Sequence, residues 1–352
     1  MFITGLGTAL PSKRFTQAEC WEALQAWNRL EELKPRSRAL LQKVLLQNNG
    51  ISGRHFALDS LAEAFVLTPE AMHARFARHA PALASQAGER ALKSAGLQAT
   101  EIDAVIVSTC TGYLCPGLTS YVSESLGLRA DALALDLVGQ GCGAALPNLR
   151  MAEALLSSGR CQHVLSICVE VCSAAIYLDD DPGVLISACL FGDAAGAAVL
   201  SSQRWSSFRS IEWKEAGSIL DPGRRDALRF EQRSGLLRNI LTPPVPALAA
   251  SYAAQIFREV THRTGVKREE ISNWIVHAGG RDVLLALREQ LDLHEKQLLW
   301  STAVLRELGN VSSSFVFHVL ERALHHGAGG GWWWMTSFGA GFSCHGVLLE
   351  VG

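Results

Sequence analysis

The chain repeats one segment of its own sequence, and this repeat restricts the possible fold more than any other feature. Residues 96–108 align without a gap with residues 265–277, an offset of 169 (265 − 96). Each copy ends in a nearly continuous apolar run, which is typical of a strand buried on both faces of a parallel sheet. We therefore expect two related α/β halves, residues 1–203 and 204–352, packed about a pseudo-twofold axis.

Composition limits the class of protein. The 352 residues are 48% hydrophobic with a mean hydropathy of +0.14, which indicates a large buried core. The net charge is -2 and no long charge run occurs, which argues against nucleic acid or a membrane surface as the main partner. No apolar run reaches the roughly 18 residues that suggest a membrane span. An ordinary globular protein is expected.

The cysteines indicate a reducing compartment. There are nine of them, an odd number, and no C-x-x-C pair occurs. This pattern argues against a disulfide framework or a structural zinc site, so no metal site is predicted. Residues 1–8 lack the basic stretch of a signal peptide and instead predict a first strand. We therefore expect a cytoplasmic protein.

Hydrophobic periodicity and turn residues predict the main elements. Residues 16–47 are expected to be helical with a break at Pro35, and residues 68–95 are expected to form two helices. Residues 104–108 and 163–170 are almost continuously apolar and predict buried strands.

Two short runs have both a plain and a functional interpretation. The three tryptophans at 332–334 form either an exposed aromatic patch or a core strand, and we favour the core strand. The three aspartates at 179–181 have the charge to bind a cation, but a solvated turn before Pro182 is far commoner.

A cysteine set between two glycines is the strongest candidate for chemistry. Cys142 follows the apolar run 132–138 and precedes the helical pattern 146–155, which predicts a strand, a tight turn and a helix start. The free N–H groups and the positive dipole end of that helix are expected to lower the pKa of the thiol from its usual ~8.5. The resulting thiolate would be an acyl-enzyme nucleophile. A small buried cysteine in a glycine-rich turn is the alternative.

The repeat adds a histidine and an asparagine to this cysteine. Adding the offset of 169 to position 142 gives position 311, one residue past Asn310. Asn310 lies in a turn that begins a second predicted helix. His277 ends its predicted strand, where open α/β sheets place functional loops. Thiol, imidazole and carboxamide together suit acyl transfer followed by carbanion chemistry. Taken singly, His277 is explained by a backbone contact and Asn310 by a helix cap.

These motifs resemble those of a known family. Cys142 in Gly-Gln-Gly-Cys-Gly-Ala-Ala-Leu-Pro-Asn, His277 in Trp-Ile-Val-His-Ala-Gly-Gly and Asn310 in Gly-Asn-Val-Ser-Ser-Ser closely resemble the Cys-His-Asn triad motifs of the type III polyketide synthases, the chalcone and stilbene synthase family. Phe191 in Leu-Phe-Gly-Asp resembles the gatekeeper phenylalanine of that family. The C-terminal glycine-rich loop of the family is matched by Phe338, Gly339 and Gly341.

The resemblance implies a fold and an activity. The implied fold is thiolase-like, a duplicated five-layer α-β-α-β-α architecture, and the implied assembly is a homodimer. The implied reaction is iterative decarboxylative condensation of malonyl-CoA onto an acyl starter held on Cys142, without a metal or redox cofactor. The same triad occurs in the single-round beta-ketoacyl carrier-protein synthase III, which is the enzymatic alternative. The non-enzymatic alternative is a catalytically silent thiolase-fold subunit that binds acyl chains.

Several substrate-pocket positions depart from the plant members of that family. Asn239 stands where those enzymes have a second gatekeeper phenylalanine, and Cys110 and Ala175 stand where they have pocket threonines. Ser312 keeps the pocket serine. These differences imply an apolar, less constricted cavity and favour a fatty acyl starter, with an alkylpyrone, alkylresorcinol or related aromatic product.

The delivery of the starter is open at the level of sequence. Leu41, Val44 and Asn48 stand where the plant enzymes grip coenzyme A with three basic residues, and none of the three is charged. Arginine forks bind phosphate well wherever they reach it. The nearby basic residues that could substitute are Arg36, Arg38, Lys43 and Arg54, and the first three are the candidates for binding CoA or a carrier. An acyl carrier protein is the alternative starter donor.

Overall fold

A computed structural model provides the fold and describes residues 1–47, 49–204 and 209–352. Asn48, one of the three uncharged positions compared with the plant basic residues, lies outside these described residues. The helices of the described part are α1 (Gln17–Ala26), α2 (Pro35–Leu46), α3 (Pro69–Ala95), α4 (Leu118–Leu126), α5 (Ala145–Ser157), α6 (Pro182–Leu190), α7 (Val245–Thr264), α8 (Arg281–Gln290), α9 (Leu299–Leu308) and α10 (Phe315–His325). Its strands are β1 (Phe2–Ala9), β2 (Arg14–Thr16), β3 (Gly53–His55), β4 (Ala104–Ser108), β5 (Leu133–Leu137), β6 (His163–Glu170), β7 (Ala194–Ser201), β8 (Ile211–Leu220), β9 (Leu228–Arg233), β10 (Leu236–Leu241), β11 (Ile271–Val276), β12 (Gly331–Gly339) and β13 (Ser343–Val351).

One mixed sheet carries the duplication. Nine strands of the described residues follow the order β11-β12-β13-β8-β1-β7-β6-β4-β5. Read outward from the central pair, β1-β7-β6-β4 on one side matches β8-β13-β12-β11 on the other. The matched outer pairs, β4 with β6 and β11 with β12, are both parallel. Since β4 and β11 end the two copies of the sequence repeat, the predicted duplication is confirmed.

The helices complete five layers around this sheet. Helix α3 packs on β1, β6 and β7 of the first half, and α7 packs on β8 and β13 of the second. Helices α5 and α10 each contact strands of both halves, so they form a central layer between them. The predicted α-β-α-β-α architecture is therefore confirmed. The boundary between residues 203 and 204 stays a prediction, and it falls between the end of β7 and the start of β8.

Helix α3 differs from its prediction. It is one helix of 27 residues rather than two, and it continues through Pro81. Its sheet-facing side is built from small residues, and a side chain on Gly5 or Gly7 of β1 would collide with its backbone. These contacts fall on residues 87–95, beyond Pro81. Around the proline itself, Ala80, Leu83 and Ala84 are buried in the core and hold the helix across the hydrogen bond that proline cannot make.

The N-terminal helices α1 and α2 are two separate elements. Helix α1 ends at Ala26, and Pro35 occupies the first position of α2, where proline is favoured because its missing N–H has no partner in any case. The predicted break at Pro35 is thus the start of a helix. Helix α2 packs against α6. This contact places the N-terminal region beside the segment that follows α6.

The two ambiguous runs have clear outcomes. Trp333 and Trp334 are fully buried in β12, so the core strand is confirmed. The aspartate run is an ion-pair cluster rather than a solvated turn, because Arg238 donates to Asp179 at 2.7 Å and to Asp181 at 3.2 Å. Within the described residues, no group of His, Cys, Asp or Glu is arranged to hold a metal ion. None of the helices described is long and apolar enough to cross a membrane.

Candidate active site

Cys142 lies at the start of a helix. Strand β5 ends at Leu137, and Gly141–Gly143 form one 3-10 turn that leads directly into α5. Gly141 has a φ of 56°, a left-handed value that glycine adopts without strain. This turn leaves the Cys142 side chain on the wall of a cavity of about 840 Å³. The predicted strand, turn and helix start are confirmed.

A glycine-rich loop supports this turn from behind. A side chain on Gly339 would collide with the backbone of Gln140 and Gly143, so only glycine allows β12 to come so close. Ser337 Oγ donates to the Gly143 carbonyl at 3.0 Å. Gly339 and Gly341 are not part of the lining of the 840 Å³ cavity. Gly339 lies behind the turn that carries the thiol. A role of the two glycines in binding substrate stays a prediction.

His277 presents an uncharged imidazole to the same cavity. It directly follows β11, and its backbone N–H donates to the Thr336 carbonyl at 2.9 Å. Its ring packs edge-on against Phe315 and Phe338, with centroid distances of 5.2 Å and 4.9 Å. Neither ring nitrogen has a hydrogen-bond partner among the described residues. Burial lowers the pKa of His277 to about 3, so the ring is neutral and both nitrogens remain available to a ligand.

The Cys142 thiol is also uncharged, which corrects the expectation of a lowered pKa. Burial raises the pKa of Cys142 to about 12, and the hydrogen bond with Ser312 only partly opposes this effect. Ser312 Oγ lies 3.3 Å from the sulfur. The nearby Glu170 carboxylate raises the pKa further. The site therefore holds a neutral thiol and a neutral imidazole.

Asn310 is fixed by backbone contacts on both sides of its carboxamide. Its Oδ1 accepts from the Ser312 N–H at 2.9 Å, and its Nδ2 donates to the Gly279 carbonyl at 3.1 Å. The amide nitrogen carries two hydrogens, so one remains after this bond. Asn310 lines the cavity with Cys142 and His277. The two helix starts related by the repeat therefore do converge.

A second, smaller compartment holds the other predicted pocket residues. It has a volume of about 20 Å³, and its wall includes Cys110, Ala175, Asn239 and Ser312. Phe191 lines both this compartment and the large cavity, so it stands between them. Phe338 lines the large cavity only.

Phe230 closes the small compartment and was missed from the sequence. It lies on β9 directly opposite Asn239 on β10, and it lines the compartment wall. The aromatic ring absent at Asn239 is thus supplied by the neighbouring strand. A pocket less constricted than that of the plant enzymes stays a prediction, and Phe230 is a residue that counts against it.

Glu170 was also missed, although it is the centre of the largest polar network near the thiol. It ends β6 and is fully buried. Burial raises its pKa, and several hydrogen bonds oppose that effect. The donors around its carboxylate are Ser313 Oγ at 2.5 Å, Thr111 Oγ1 at 3.0 Å, Cys110 N at 3.1 Å and Ser312 Oγ at 3.2 Å. The available sequence signal was a lone carboxylate at the end of an otherwise apolar strand.

Ser312 connects this network to the nucleophile. Its hydroxyl lies within hydrogen-bond distance of both the Cys142 sulfur and the Glu170 carboxylate. One hydroxyl has one proton, so it cannot donate to both at once. The Cys142 sulfur and the Glu170 carboxylate are therefore alternative acceptors for the Ser312 hydroxyl proton.

Two cations line the large cavity. Lys43 comes from α2 and Arg281 from the first position of α8, and the acidic side chains Asp181 and Asp282 lie on the same wall. Arg281 was not singled out in the sequence, because it follows the His-Ala-Gly-Gly motif rather than lying in a basic stretch.

The other nearby basic residues are placed differently. Arg36 is exposed on α2, Arg38 pairs with Glu31, and Arg54 is buried. None of these three is part of the lining of the large cavity. Of the four nearby basic residues, Lys43 is therefore the one that lines the thiol's cavity.

Two family models together cover almost the whole chain. Residues 9–214 match the model described as FAE1/Type III polyketide synthase-like protein, and residues 222–351 match the C-terminal domain of chalcone and stilbene synthases. The chain is 28% identical over 334 residues to a 3,5-dihydroxyphenylacetyl-CoA synthase of Streptomyces toyocaensis, covering 92% of this chain and 83% of that protein. It is 30% identical over 305 residues to a 1,3,6,8-tetrahydroxynaphthalene synthase of Streptomyces griseus, covering 85% and 80%. The crystal structure of PKS-I from the brown alga Ectocarpus siliculosus is similar with a TM-score of 0.89 at 26% identity, covering 99% of this chain and 98% of that one.

Fold, site and similarity agree. A thiol, an imidazole and a carboxamide on one cavity wall of a duplicated five-layer α/β fold are the features of a thiolase-like condensing enzyme. The chain belongs to the type III polyketide synthase family, and it is an acyltransferase-type enzyme of polyketide biosynthesis. The single-round carrier-protein synthase III is not favoured, because the matches are to type III polyketide synthases.

Proposed function

We propose that the chain extends an acyl starter by iterative decarboxylative condensation of malonyl-CoA, with Cys142, His277 and Asn310 as its catalytic residues. The observation that supports this most directly is that all three side chains line one cavity. The cavity of about 840 Å³ is large enough for the arm of a thioester substrate as well as its acyl group.

In the loading step, the Cys142 sulfur attacks the carbonyl carbon of the starter thioester. Because thiol and imidazole are both neutral beforehand, His277 takes the thiol proton as the new carbon–sulfur bond forms. The donor thiolate then leaves and takes this proton from the imidazolium. The starter is now a thioester of Cys142, and His277 is neutral again.

In the extension step, malonyl-CoA loses carbon dioxide and keeps the electron pair of the broken bond as an enolate. Asn310 Nδ2 and an N–H of His277 donate hydrogen bonds to the enolate oxygen. The enolate carbon attacks the Cys142 thioester, the carbon–sulfur bond breaks, and the sulfur regains a proton from water. Loss of carboxylate itself supplies the carbanion, so the proposed cycle uses no metal or redox cofactor.

The shape of the site favours a short starter. Phe191 separates the thiol's cavity from an inner compartment of only about 20 Å³, which Phe230 narrows further. A long alkyl chain does not fit there without displacing one of these rings. Several relatives are named for compact aromatic products, among them a 1,3,6,8-tetrahydroxynaphthalene synthase and a phloroglucinol synthase, and one is named for alpha-pyrone synthesis. We therefore propose a short starter and an aromatic product, and the fatty acyl starter with an alkylpyrone or alkylresorcinol product is the alternative for the test.

We propose that starter and extender both arrive as CoA thioesters. Lys43 and Arg281 are cations on the wall of the cavity that holds the thiol, which suits the phosphates at the far end of the pantetheine arm. An acyl carrier protein would instead need a broader docking surface, to which Arg36 and Arg38 on α2 would belong.

A panel of starters tests both proposals. With malonyl-CoA as extender, acetyl- to butyryl-CoA are expected to give triketide or longer products at least ~10-fold faster than decanoyl-CoA, because filling a closed compartment costs more with each methylene. Preference for decanoyl-CoA would contradict the short starter.

Lys43→Glu tests delivery by CoA. It is expected to raise the KM for malonyl-CoA by about 10-fold, whereas Arg36→Glu, the matched control on the same helix, leaves this KM unchanged. Faster loading from the matched carrier protein would contradict CoA delivery, and products of a single condensation would contradict iteration.

We also propose that the chain forms a homodimer through the β5 edge of its sheet. Among the strands of the described residues, β5 pairs with β4 alone. Exposed apolar side chains lie on β5 and its flanking elements, namely Leu133, Val138, Tyr121 and Met151. An apolar edge strand of this kind is a template for pairing unless it is covered. Sedimentation is expected to show a dimer at micromolar concentration, and Val138→Asp to shift it to monomer. Leu299→Asp, at an exposed leucine of α9, is the matched control; a monomeric wild type would refute this assembly.

A further inference from the structure

Arg54 is a buried cation whose hydrogen bonds go to backbone carbonyls and one carboxamide. It lies on β3 and is 3% exposed. Its guanidinium donates to the Ala188 carbonyl at 2.7 Å and to the Phe191 carbonyl at 2.9 Å. It also lies over the Phe56 ring, with Cζ 4.8 Å from the centroid. Within the described residues, no carboxylate forms an ion pair with it. A buried charge of this kind is retained only where its hydrogen bonds are well satisfied.

The accepting carbonyls belong to one short segment. Ala188 lies in the last turn of α6, and Phe191 is the residue immediately after the helix. The last carbonyls of a helix lack intrahelical partners and carry partial negative charge, so a cation there is stabilising. Gln17 of α1 extends the same cap, because its Nε2 donates to the Cys189 carbonyl at 3.0 Å and its Oε1 accepts from Arg54 Nε at 3.0 Å.

The aliphatic part of Arg54 runs between the two segments that meet at the active site. A side chain on Gly309 would collide with Arg54 Cγ, and one on Gly192 would touch Arg54 Cβ. Gly192 follows Phe191, and Gly309 precedes Asn310. These two segments pair as an isolated parallel bridge between Phe191 and Asn310, with the Asn310 N–H donating to the Leu190 carbonyl at 2.8 Å. Arg54 thus contacts both sides of that bridge.

We infer that Arg54, together with Gln17, is a positioning residue that holds Phe191 between the two compartments and so sets how far the growing chain extends. The inference rests on the proposed role of Phe191 in the site. Arg54 itself does not touch the reacting atoms, because its contacts are with carbonyls behind the Phe191 side chain. Its effect on the reaction passes through the position of the ring that divides the cavity of about 840 Å³ from that of about 20 Å³.

The test is Arg54→Lys, which keeps the charge but has one nitrogen on a shorter side chain, so it cannot replace Nη1 at the two carbonyls and Nε at Gln17 Oε1 together. Misplacement of a positioned group by about 1 Å lowers the reaction rate by up to ~10²-fold. We therefore expect kcat for polyketide formation to fall about 10-fold, while the KM for malonyl-CoA changes by no more than about twofold. The ratio of the longest product to the triketide is expected to change by at least about threefold in the same direction as in Phe191→Ala. In the Phe191→Ala background, Arg54→Lys is expected to have no further effect on this ratio, because the ring that Arg54 positions is absent.

Arg209→Lys is the matched control. Arg209 also donates to two backbone carbonyls, those of Gly352 at 2.7 Å and Ala328 at 2.6 Å, and lies over an aromatic ring, Trp333, but it lies outside the site. It is expected to leave kcat and product ratio unchanged. If Arg54→Lys does not fold, Gln17→Ala decides, with a smaller shift of the ratio in the same direction.

Each failure has a distinct signature. If Phe191→Ala changes the products while Arg54→Lys, or Gln17→Ala in its place, leaves them as in wild type, the positioning role is overturned and the proposed function stands. If the two changes act independently in the double variant, Arg54 does not act through Phe191 and the inference is also overturned. If Phe191→Ala itself leaves the products unchanged, it is the proposed division of the site by Phe191 that fails.

Discussion

Replacing Cys142 by alanine is expected to abolish acyl loading and to lower polyketide formation by at least ~10³-fold, because no other group in the cavity supplies the proposed nucleophile. Intact-protein mass spectrometry after incubation with acyl-CoA measures the loading directly. Wild type is expected to gain the mass of one acyl group, and the alanine variant none. The matched control is Cys110→Ala. In the wild type, the Cys110 sulfur lies 3.6 Å from Ser312 Oγ, and the Cys142 sulfur lies 3.3 Å from the same oxygen. An acyl adduct on the alanine variant at position 142 would refute the assignment, as would loss of the adduct in the control alone.

The protonation of Cys142 gives this prediction a pH dependence. With the pKa of the thiol raised to about 12 and that of His277 lowered to about 3, no thiolate–imidazolium pair exists in the empty site. The thiolate fraction then rises about tenfold per pH unit throughout the neutral range. Alkylation of Cys142 by iodoacetamide is expected to follow that slope from pH 6 to 9, measured in a Cys115→Ser background because Cys115 is exposed. A rate that is flat over this range would show a preformed ion pair and contradict the neutral pair.

Replacing Asn310 by alanine is expected to lower malonyl-CoA decarboxylation by about 10² to 10³-fold while Cys142 is still acylated, because one proposed donor to the enolate oxygen is lost. Release of carbon dioxide measures the first effect, and intact mass the second. The alanine also leaves the Ser312 N–H and the Gly279 carbonyl without their partner, which costs about 1–3 kcal/mol of folding free energy. Thermal unfolding shows whether enough folded protein remains for the comparison.

Asn310→Asp removes the amide hydrogen-bond donor but keeps the oxygen that accepts from the Ser312 N–H. The carboxylate keeps the oxygen that accepts from Ser312 but removes the amide hydrogens and adds a negative charge beside the enolate. Decarboxylation is therefore expected to fall at least as far as with alanine. Asn239→Ala, at an asparagine of the small compartment, is the control and is expected to decarboxylate normally. Undiminished release from either Asn310 variant would refute the role of the carboxamide.

Local sequence was sufficient for the scaffold and for the three catalytic candidates. The repeat of 96–108 at 265–277 predicts the duplicated sheet because strand periodicity and turn residues are local properties that each copy carries within itself. The glycines around Cys142 predict its turn for the same reason. Helix α3 was missed as one element because its continuity through Pro81 depends on the burial of Ala80, Leu83 and Ala84 against distant parts of the chain.

The repeated elements predict that two α/β halves bring Cys142, His277 and Asn310 to one place, since each residue ends or begins an element of the repeated unit. The protonation of these groups and the shape of the pocket depend on how distant elements pack together. The pKa of the Cys142 thiol depends on burial and on Ser312, which is 170 residues away in the chain, and the narrowing of the inner compartment depends on the strand register that sets Phe230 opposite Asn239. Desolvation and cross-strand contact are sums over neighbours from distant parts of the chain, so no local pattern of residues contains them.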